Sequence, residues 1–498
     1  MTHIKVPTVI VFLLIASILA VSCSEQTGGK PDSNIPNKIT EPQETDDPNP
    51  EPELPAEKFD GYEFAILGRP SAEDVTYREQ FFDADAENGE PVNDAVYRRN
   101  LAAEEKFNIT ISHLEADPVG EMARKLIAAG DAVFDVLWEQ RVHIGSLATG
   151  KMLYNIKNYP YIDYSRQYWD SNSMRELEIA GKLYFVTCDI SLNNLAGARF
   201  LYFNKDILTD FSLPNPYELV YKNEWILDTF LQMVRSVSRD LDGDGEMTNK
   251  DQYGMLTELF SNDGNYLYLL IGSGIRYTEN DETGKPVLVL MNDRTVSVMQ
   301  KLIETLGDTT YTMEYTKVAA GSDTSEFLHI YDFGRSRFAA GQFLFVQNGT
   351  NVAHQFSNMD ADYGIVPNPK FDSSQERYYH KLDFHCTAMG IPVLVTEHER
   401  TGMILEYLAW LSSINVVPAY YEITIKTKRF RDDDASKMLD IVKDSLQYEV
   451  SDCFAIGIVD MLRAAFESGN LASEYQKQQK ALQSKLDKTY EMILELEY

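Results

Sequence analysis

Basic residues are scarce: 45 Lys and Arg stand against 77 Asp and Glu, a formal charge of -32. A phosphate backbone would repel such a chain, which excludes nucleic acid as a partner. Cysteine is nearly absent, with four in 498 residues. Cys23, Cys188, Cys386 and Cys453 share no short spacing, so neither a disulfide framework nor a zinc site is indicated. The eight His form no cluster, and Glu397-His398-Glu399-Arg400 lacks the second His that a metalloprotease helix requires. No Gly-x-Ser-x-Gly elbow and no phosphate-binding P-loop occurs. What is present is the composition of an ordinary globular protein, 44% hydrophobic and 11% aromatic, in a chain long enough for two or three domains.

The N-terminus reads as a targeting segment. Lys5 lies in a short basic start, and Val6 to Val21 is an apolar run too short to span a bilayer comfortably, so residues 1–22 are expected to be a signal peptide. Leu19-Ala20-Val21-Ser22-Cys23 resembles a bacterial lipobox, with Leu four residues before the Cys and Ala20 where Leu is usual. Cys23 is therefore the expected lipidation site and membrane anchor, and Cys188, Cys386 and Cys453 are left as small core residues. Residues 23–57 carry seven prolines among Glu, Asp, Asn and Thr without apolar periodicity. Such a stretch cannot bury enough surface to fold and reads as a disordered tether.

From Phe59 the chain alternates. Strands are expected at Tyr62–Leu67, Asn108–Leu114 and Phe134–Trp138, helices at Asp94–Phe107 and Val119–Ala129, with a further helical stretch after the third strand running to about Leu153. That alternation predicts an α/β fold with a parallel sheet covered on both faces, whose ligands bind beyond the strands' carboxyl ends. Further strands are expected at Lys182–Val186, Arg199–Phe203 and from Tyr253. Asn204 is the expected cap of a helix, Trp225–Arg239 a second helix, and Leu471–Leu496 a long surface helix.

Asp240 to Asp251 reads as a calcium loop. Asp240, Asp242 and Asp244 occupy positions one, three and five, Gly245 makes the turn at six, and Asp251 closes at twelve in place of the usual Glu. Glu246 would add its carbonyl and Thr248 a hydroxyl or bridging water. A hard cation takes six to eight oxygens, and alternate carboxylates converge only if the chain wraps round it.

These residues also carry a likeness. Tyr202-Phe203-Asn204-Lys205-Asp206, Leu213-Pro214, Trp225, the Asp-x-Asp-Gly-Asp-Gly loop and Asp251-Gln252-Tyr253-Gly254, in that order, resemble the extracellular solute-binding proteins of family 1. Those are the carbohydrate-type lipoproteins of ABC importers. Gly181-Lys182-Leu183-Tyr184, Arg337 to Phe345 and Tyr363 to Lys370 add to the resemblance. It implies a two-lobe periplasmic-binding-protein-like fold (type II), with discontinuous lobes joined by a hinge. Lobe one would take 58–189 plus 367–412, and lobe two 196–362 plus 414–498. It further implies a monomer on the outer face of the cell membrane that passes a small-molecule ligand, an oligosaccharide, to an ABC permease without chemistry.

A sugar needs aromatic faces to stack on and planar polar groups for its hydroxyls. Trp138, Glu139 and Arg141 at a strand's carboxyl end offer both. Asp189, Asn193 and Asn194 in the expected crossing, Trp169 on a connecting loop, and Gln347 and Asn348 after a strand complete the candidate site, with Asp383, Phe384 and His385 as further candidates. Two other readings stay open: a lipid-anchored glycosidase, since 77 acidic residues offer many carboxylate pairs, and a calcium-dependent adhesion module.

Overall fold

The computed structural model describes residues 49–70, 81–356, 359, 361–421 and 432–497. The expected signal peptide, Cys23 and the tether as far as Pro48 lie outside the described residues.

The first layer begins with β1 (Tyr62–Gly68), α1 (Pro91–Phe107), β2 (Ile109–Glu115), α2 (Val119–Ala129), β3 (Val136–Gln140) and α3 (Arg141–Thr149). Pro91 starts α1, where its missing N–H costs nothing. Asn108, at φ 50, and Gly130, at φ 76, end α1 and α2 in the left-handed region that a helix stop favours. Phe64 to Leu67 are all buried, the unbroken apolar run of a strand covered on both faces.

The second layer contributes β4 (Phe200–Asn204), α4 (Leu227–Ser236), β5 (Tyr253–Thr257), α5 (Asn265–Gly272), β6 (Thr312–Glu314), β7 (Phe343–Asn348) and β8 (Tyr363–Val366). The chain then runs through β9 (His380–Lys381), β10 (Thr387–Gly390), α6 (His398–Leu411), α7 (Asp433–Lys443), β11 (Leu446–Gln447), α8 (Ile458–Ser468) and α9 (Leu471–Leu494).

Two sheets result. One has the order β10-β3-β1-β2, parallel except for β10, which runs against β3 with Thr387 opposite Gln140. The other has the order β8-β4-β7-β5-β6, with β4 antiparallel to both neighbours. Between them the chain passes side by side: Ala198 bridges Leu382, the Arg199 amide donates to the Lys381 carbonyl (3.3 Å), and β9 pairs with β11. A second contact lies beside these passages. Arg276 reaches Glu176 (2.9 Å), Glu449 (3.1 Å) and the Tyr448 carbonyl (3.0 Å), and Asn280 donates to the Glu178 carbonyl (2.8 Å). The helix α9 packs on α3 of the first layer and on the hairpin strand Pro286–Leu288 of the second, so it serves both.

Several elements differ from the sequence reading. Lys182–Val186 is extended but pairs only at single bridges, because Ala180 (φ 53) and Gly181 (φ 73) fold Ile179 back onto Lys182. The helix expected from Trp225 starts at Leu227: the Trp225 carbonyl accepts from the Lys370 amide, and the Trp225 indole donates to the Pro367 carbonyl (2.7 Å). Strand β3 runs on to Gln140, carrying Glu139 into the sheet. Residues 49–57, expected to be part of the tether, lie on the folded body. The Trp410 indole donates to the Asn49 carbonyl (2.9 Å), Glu51 pairs with Lys106 (2.6 Å) and Pro52 is buried.

Candidate functional site

The carboxyl ends of β3, β5 and β7 meet at one place, the return passage Leu382 to Cys386. Arg141, opening α3, donates to the carbonyls of Leu382 (3.2 Å) and Asp383 (3.0 Å). Asp263, on the loop after β5, accepts from the Phe384 amide (3.2 Å). Asn348, ending β7, accepts from Arg199 (2.6 Å), and Arg199 is ion-paired to Asp383. The rule that α/β ligands bind beyond strand carboxyl ends points here.

One cation serves three acids at this floor. Arg199 also faces Asp263 at 3.9 Å, and Tyr268 donates to Asp263 (2.5 Å). Burial pushes Asp383 up, but Arg199 and the hydrogen bonds of His385 outweigh it and hold the carboxyl below the usual range. Burial and the neighbouring Asp383 charge push Asp263 well up, and burial also raises Glu258. The floor therefore couples one guanidinium to three acids, with Asp383 held low by Arg199 and Asp263 and Glu258 pushed up by burial. Asp263, Asp383 and His385 place their ligand atoms within 4.8 Å of one another. Arg199 already supplies positive charge there, so the cluster is an ion-pair network rather than a cation site.

The walls differ from the sequence reading. Trp138 is 1% exposed and packs on Phe82, ring centroids 4.6 Å apart, so its indole belongs to the core. Arg141 is spent on backbone carbonyls. Glu139 is buried, accepts from the Gln140 amide (2.6 Å) and sits so close to the first turn of α2 that a Cβ on Gly120 would lie 2.4 Å from it. Asn193 accepts from the Thr387 amide (2.8 Å), and Gln347 bonds Asn265 (3.0 Å) and Asn368 (2.8 Å). These residues frame the junction. The surfaces left open nearby are others: Phe260, 54% exposed on the loop after β5, the Phe384–His385 pair at 3.8 Å, and Tyr331, which donates to Glu258 (2.9 Å). Phe260, Asp263, Glu258 and Arg199 were missed from sequence. An Arg heading the otherwise apolar strand Phe200 to Phe203 was the available signal.

Trp169, Asp189 and Asn194 lie elsewhere, on a cavity of about 710 Å³ beside the passages. The Trp169 indole donates to Glu406 (2.8 Å) and the ring is 1% exposed.

In the acidic loop, Asp240, Asp242 and Asp244 bring carboxylate oxygens within 4.8 Å of one another, and Gly245 takes φ 88. Those three fit a calcium ion. Asp251 does not extend the set: it is fully buried, and its oxygens accept from the amides of Leu241 (2.9 Å) and Thr248 (2.7 Å). The Thr248 hydroxyl also donates to Asp251 (3.1 Å), while the Glu246 amide donates to Asp244 (2.8 Å).

No family model matches the chain, and no curated protein matches it in sequence. Solved structures do resemble it. UspC of M. tuberculosis is 14% identical over 85% of this chain and 100% of its own, with a TM-score of 0.55. A sugar transporter of Rhizobium etli in an open conformation is 13% identical over 88% and 100%, TM-score 0.55. An ABC substrate-binding protein of Listeria monocytogenes in complex with cycloalternan is 11% identical over 87% and 99%, TM-score 0.50. This chain thus has the two-lobe, periplasmic-binding-protein-like α/β fold of sugar-binding ABC substrate-binding proteins.

Proposed function

We propose that this chain is the substrate-binding lipoprotein of an ABC importer, held at the outer membrane face through Cys23. It captures an oligosaccharide between two lobes, 58–189 plus 367–412 and 196–362 plus 414–498, and delivers it to the permease as a monomer. The observation that supports this reading is the junction itself: strand carboxyl ends from both sheets share a floor of buried polar groups and leave Phe260, Phe384 and Tyr331 beside it. Rings next to hydrogen-bonding groups are what a pyranose requires. Binding in both lobes would shift the open and closed populations by the difference in affinity. Asp383 and Asp263, 1% and 5% exposed, are too deep to flank a glycosidic bond, which favours capture over hydrolysis.

A thermal-shift screen of neutral di- to tetrasaccharides, cycloalternan included, tests this. One of them is expected to raise the melting temperature, since ligand at 100 times its Kd adds about 2.7 kcal/mol. Phe260→Ala, at an exposed position, is expected to weaken that sugar by about tenfold with the fold intact. Release of product from a chromogenic glycoside, with no stabilisation by any sugar, would refute the binding reading.

Calcium held by Asp240, Asp242 and Asp244 is proposed as a structural clasp between α4 and β5, away from the junction. Chelation is expected to lower the melting temperature of the free protein while sugar affinity stays within about twofold. Loss of sugar binding in a chelated but folded protein is the contrary result.

A further inference from the structure

Arg99, in the middle of α1, is 1% exposed. A guanidinium so deep is normally paired with a carboxylate, yet among the described residues no carboxylate bonds it. Its N–H donors go to five other oxygens. Nε donates to the Asn100 side chain (2.9 Å), and one terminal nitrogen donates to the carbonyls of Phe81 (3.3 Å) and Phe82 (2.8 Å). The other terminal nitrogen donates to the Ile190 carbonyl (3.2 Å) and the Ser412 hydroxyl (3.4 Å). Burial pulls the group down to about 10, with the Asp83 charge opposing. Only arginine offers five donors in one rigid plane, so no other side chain could hold all these partners together.

Ile190 and Ser412 are far apart in sequence, and each lies where the chain leaves the first layer. After Ile190 the chain runs through Asn193–Gly197 into β4; after Ser412 it runs through a π-helical turn, Ser412–Val416, to Tyr420. Such turns occur often at functional positions. Both routes arrive at one residue of the second layer, Thr350, just beyond β7. Its hydroxyl bonds the Tyr420 hydroxyl (2.7 Å) and the Leu195 carbonyl (3.4 Å). The first and last passages are thus tied at both ends, by Arg99 in one layer and Thr350 in the other. The guanidinium also reaches toward β3, because the Phe82 whose carbonyl it holds packs its ring on Trp138.

We propose that Arg99 is a positioning residue of the hinge, binding the first and last passages into one unit that bends as a whole. The inference rests on the closure between two lobes put forward above. With Arg99 in place, Ile190 cannot turn without Ser412, so one bend is shared by both passages. Without it the passages bend separately, and the ligand-free protein visits a wider range of lobe separations. Capture then weakens, because the binding-competent arrangement is a smaller fraction of the whole.

The test is the distribution of lobe separations in the ligand-free full chain, measured by electron spin–spin distances. Labels are placed at Lys125→Cys on α2 and Gln300→Cys on the helix Asp293–Leu306, both exposed, in a Cys23→Ser background. Cys188, Cys386 and Cys453 are buried and escape labelling. Arg99→Lys keeps the charge and loses the five-donor fork. It is expected to broaden the distribution about twofold in width and to weaken the best oligosaccharide about tenfold, as a loss of pre-organisation does. Ser412→Ala removes one hydroxyl and with it the tie to the last passage, and is expected to broaden the distribution in the same sense by less. A folded Arg99→Lys protein with a lower melting temperature but the parent's distribution overturns the proposal, since Arg99 would then be a core residue alone. So does the parent's distribution in Ser412→Ala, which decides the matter where Arg99→Lys fails to fold. The distances need no sugar, so a parent that binds no oligosaccharide refutes capture while this result stands by itself.

Discussion

Arg199→Met is expected to destabilise the folded protein by about 3–5 kcal/mol, the range for removing one partner of a buried ion pair. Arg199 is 5% exposed, and three acids depend on it: Asp383, Asp263 and Glu258. Without it Asp383 is a buried anion, and Asn348 loses the donor at 2.6 Å. The cost should fall when the charge is removed as well, so the double variant Arg199→Met with Asp383→Asn is expected to recover at least half of it. Urea unfolding midpoints measure both. A single variant within about 1 kcal/mol of the parent would show that the pair holds little of the junction together. Sugar binding should fail in the single variant even where it remains folded, because the return passage that carries Phe384 and His385 is aligned by this pair.

Acid is expected to unfold the protein through His380 in particular. This ring is fully buried in β9, where its Nε2 accepts from the Asn368 amide (3.0 Å) and its Nδ1 bonds the Ser445 hydroxyl (2.7 Å). A proton on Nε2 would break the first of these. Burial accordingly lowers the group from 6.5 to about 3. A depressed value means that the stabilisation is present above the unfolded pKa near 6.5 and is lost as pH falls toward about 3. At about 1.4 kcal/mol for each pH unit, the full loss is about 4–5 kcal/mol. Unfolding midpoints at pH 7, 5 and 3 should decline steeply, and His380→Gln, which cannot titrate, should start lower but decline less. An equal decline in that variant would assign the acid sensitivity to other groups.

Much of the fold was legible because local rules and tertiary packing agree. The helix Val119–Ala129 was expected with the bounds it has, and Asn204 caps as expected, accepting from the amides of Asp206 and Ile207. The misreadings arise where the chain passes between layers. Trp225 carries a helical pattern but is pulled into an extended pairing with Lys370, a partner distant in sequence. Lys182–Val186 has strand composition but meets β10 only at Met389. The candidate site was legible in position more than in chemistry. Strand ends pointed to the junction taken here as the candidate site, yet Trp138, Arg141, Asn193 and Gln347 face inward there, and sequence does not say on which side of a crowded strand end a side chain turns. Exposed Phe260 carries no local pattern at all, since a lone aromatic in a loop is common.

The contact of Arg276 with Glu176 and of Asn280 with the Glu178 carbonyl would limit the ways in which the two layers could move. Adjacent passages alone act as a flexible ribbon, which can bend and also twist. A second attachment set to one side removes the twist, as a second pin turns a loosely hung panel into a door. In the proposed closure that would leave mainly one hinge angle, so Phe260 and Tyr331, carried on the same layer, would be expected to approach a ligand together, and a solute too long at one end would hold both of them off at once.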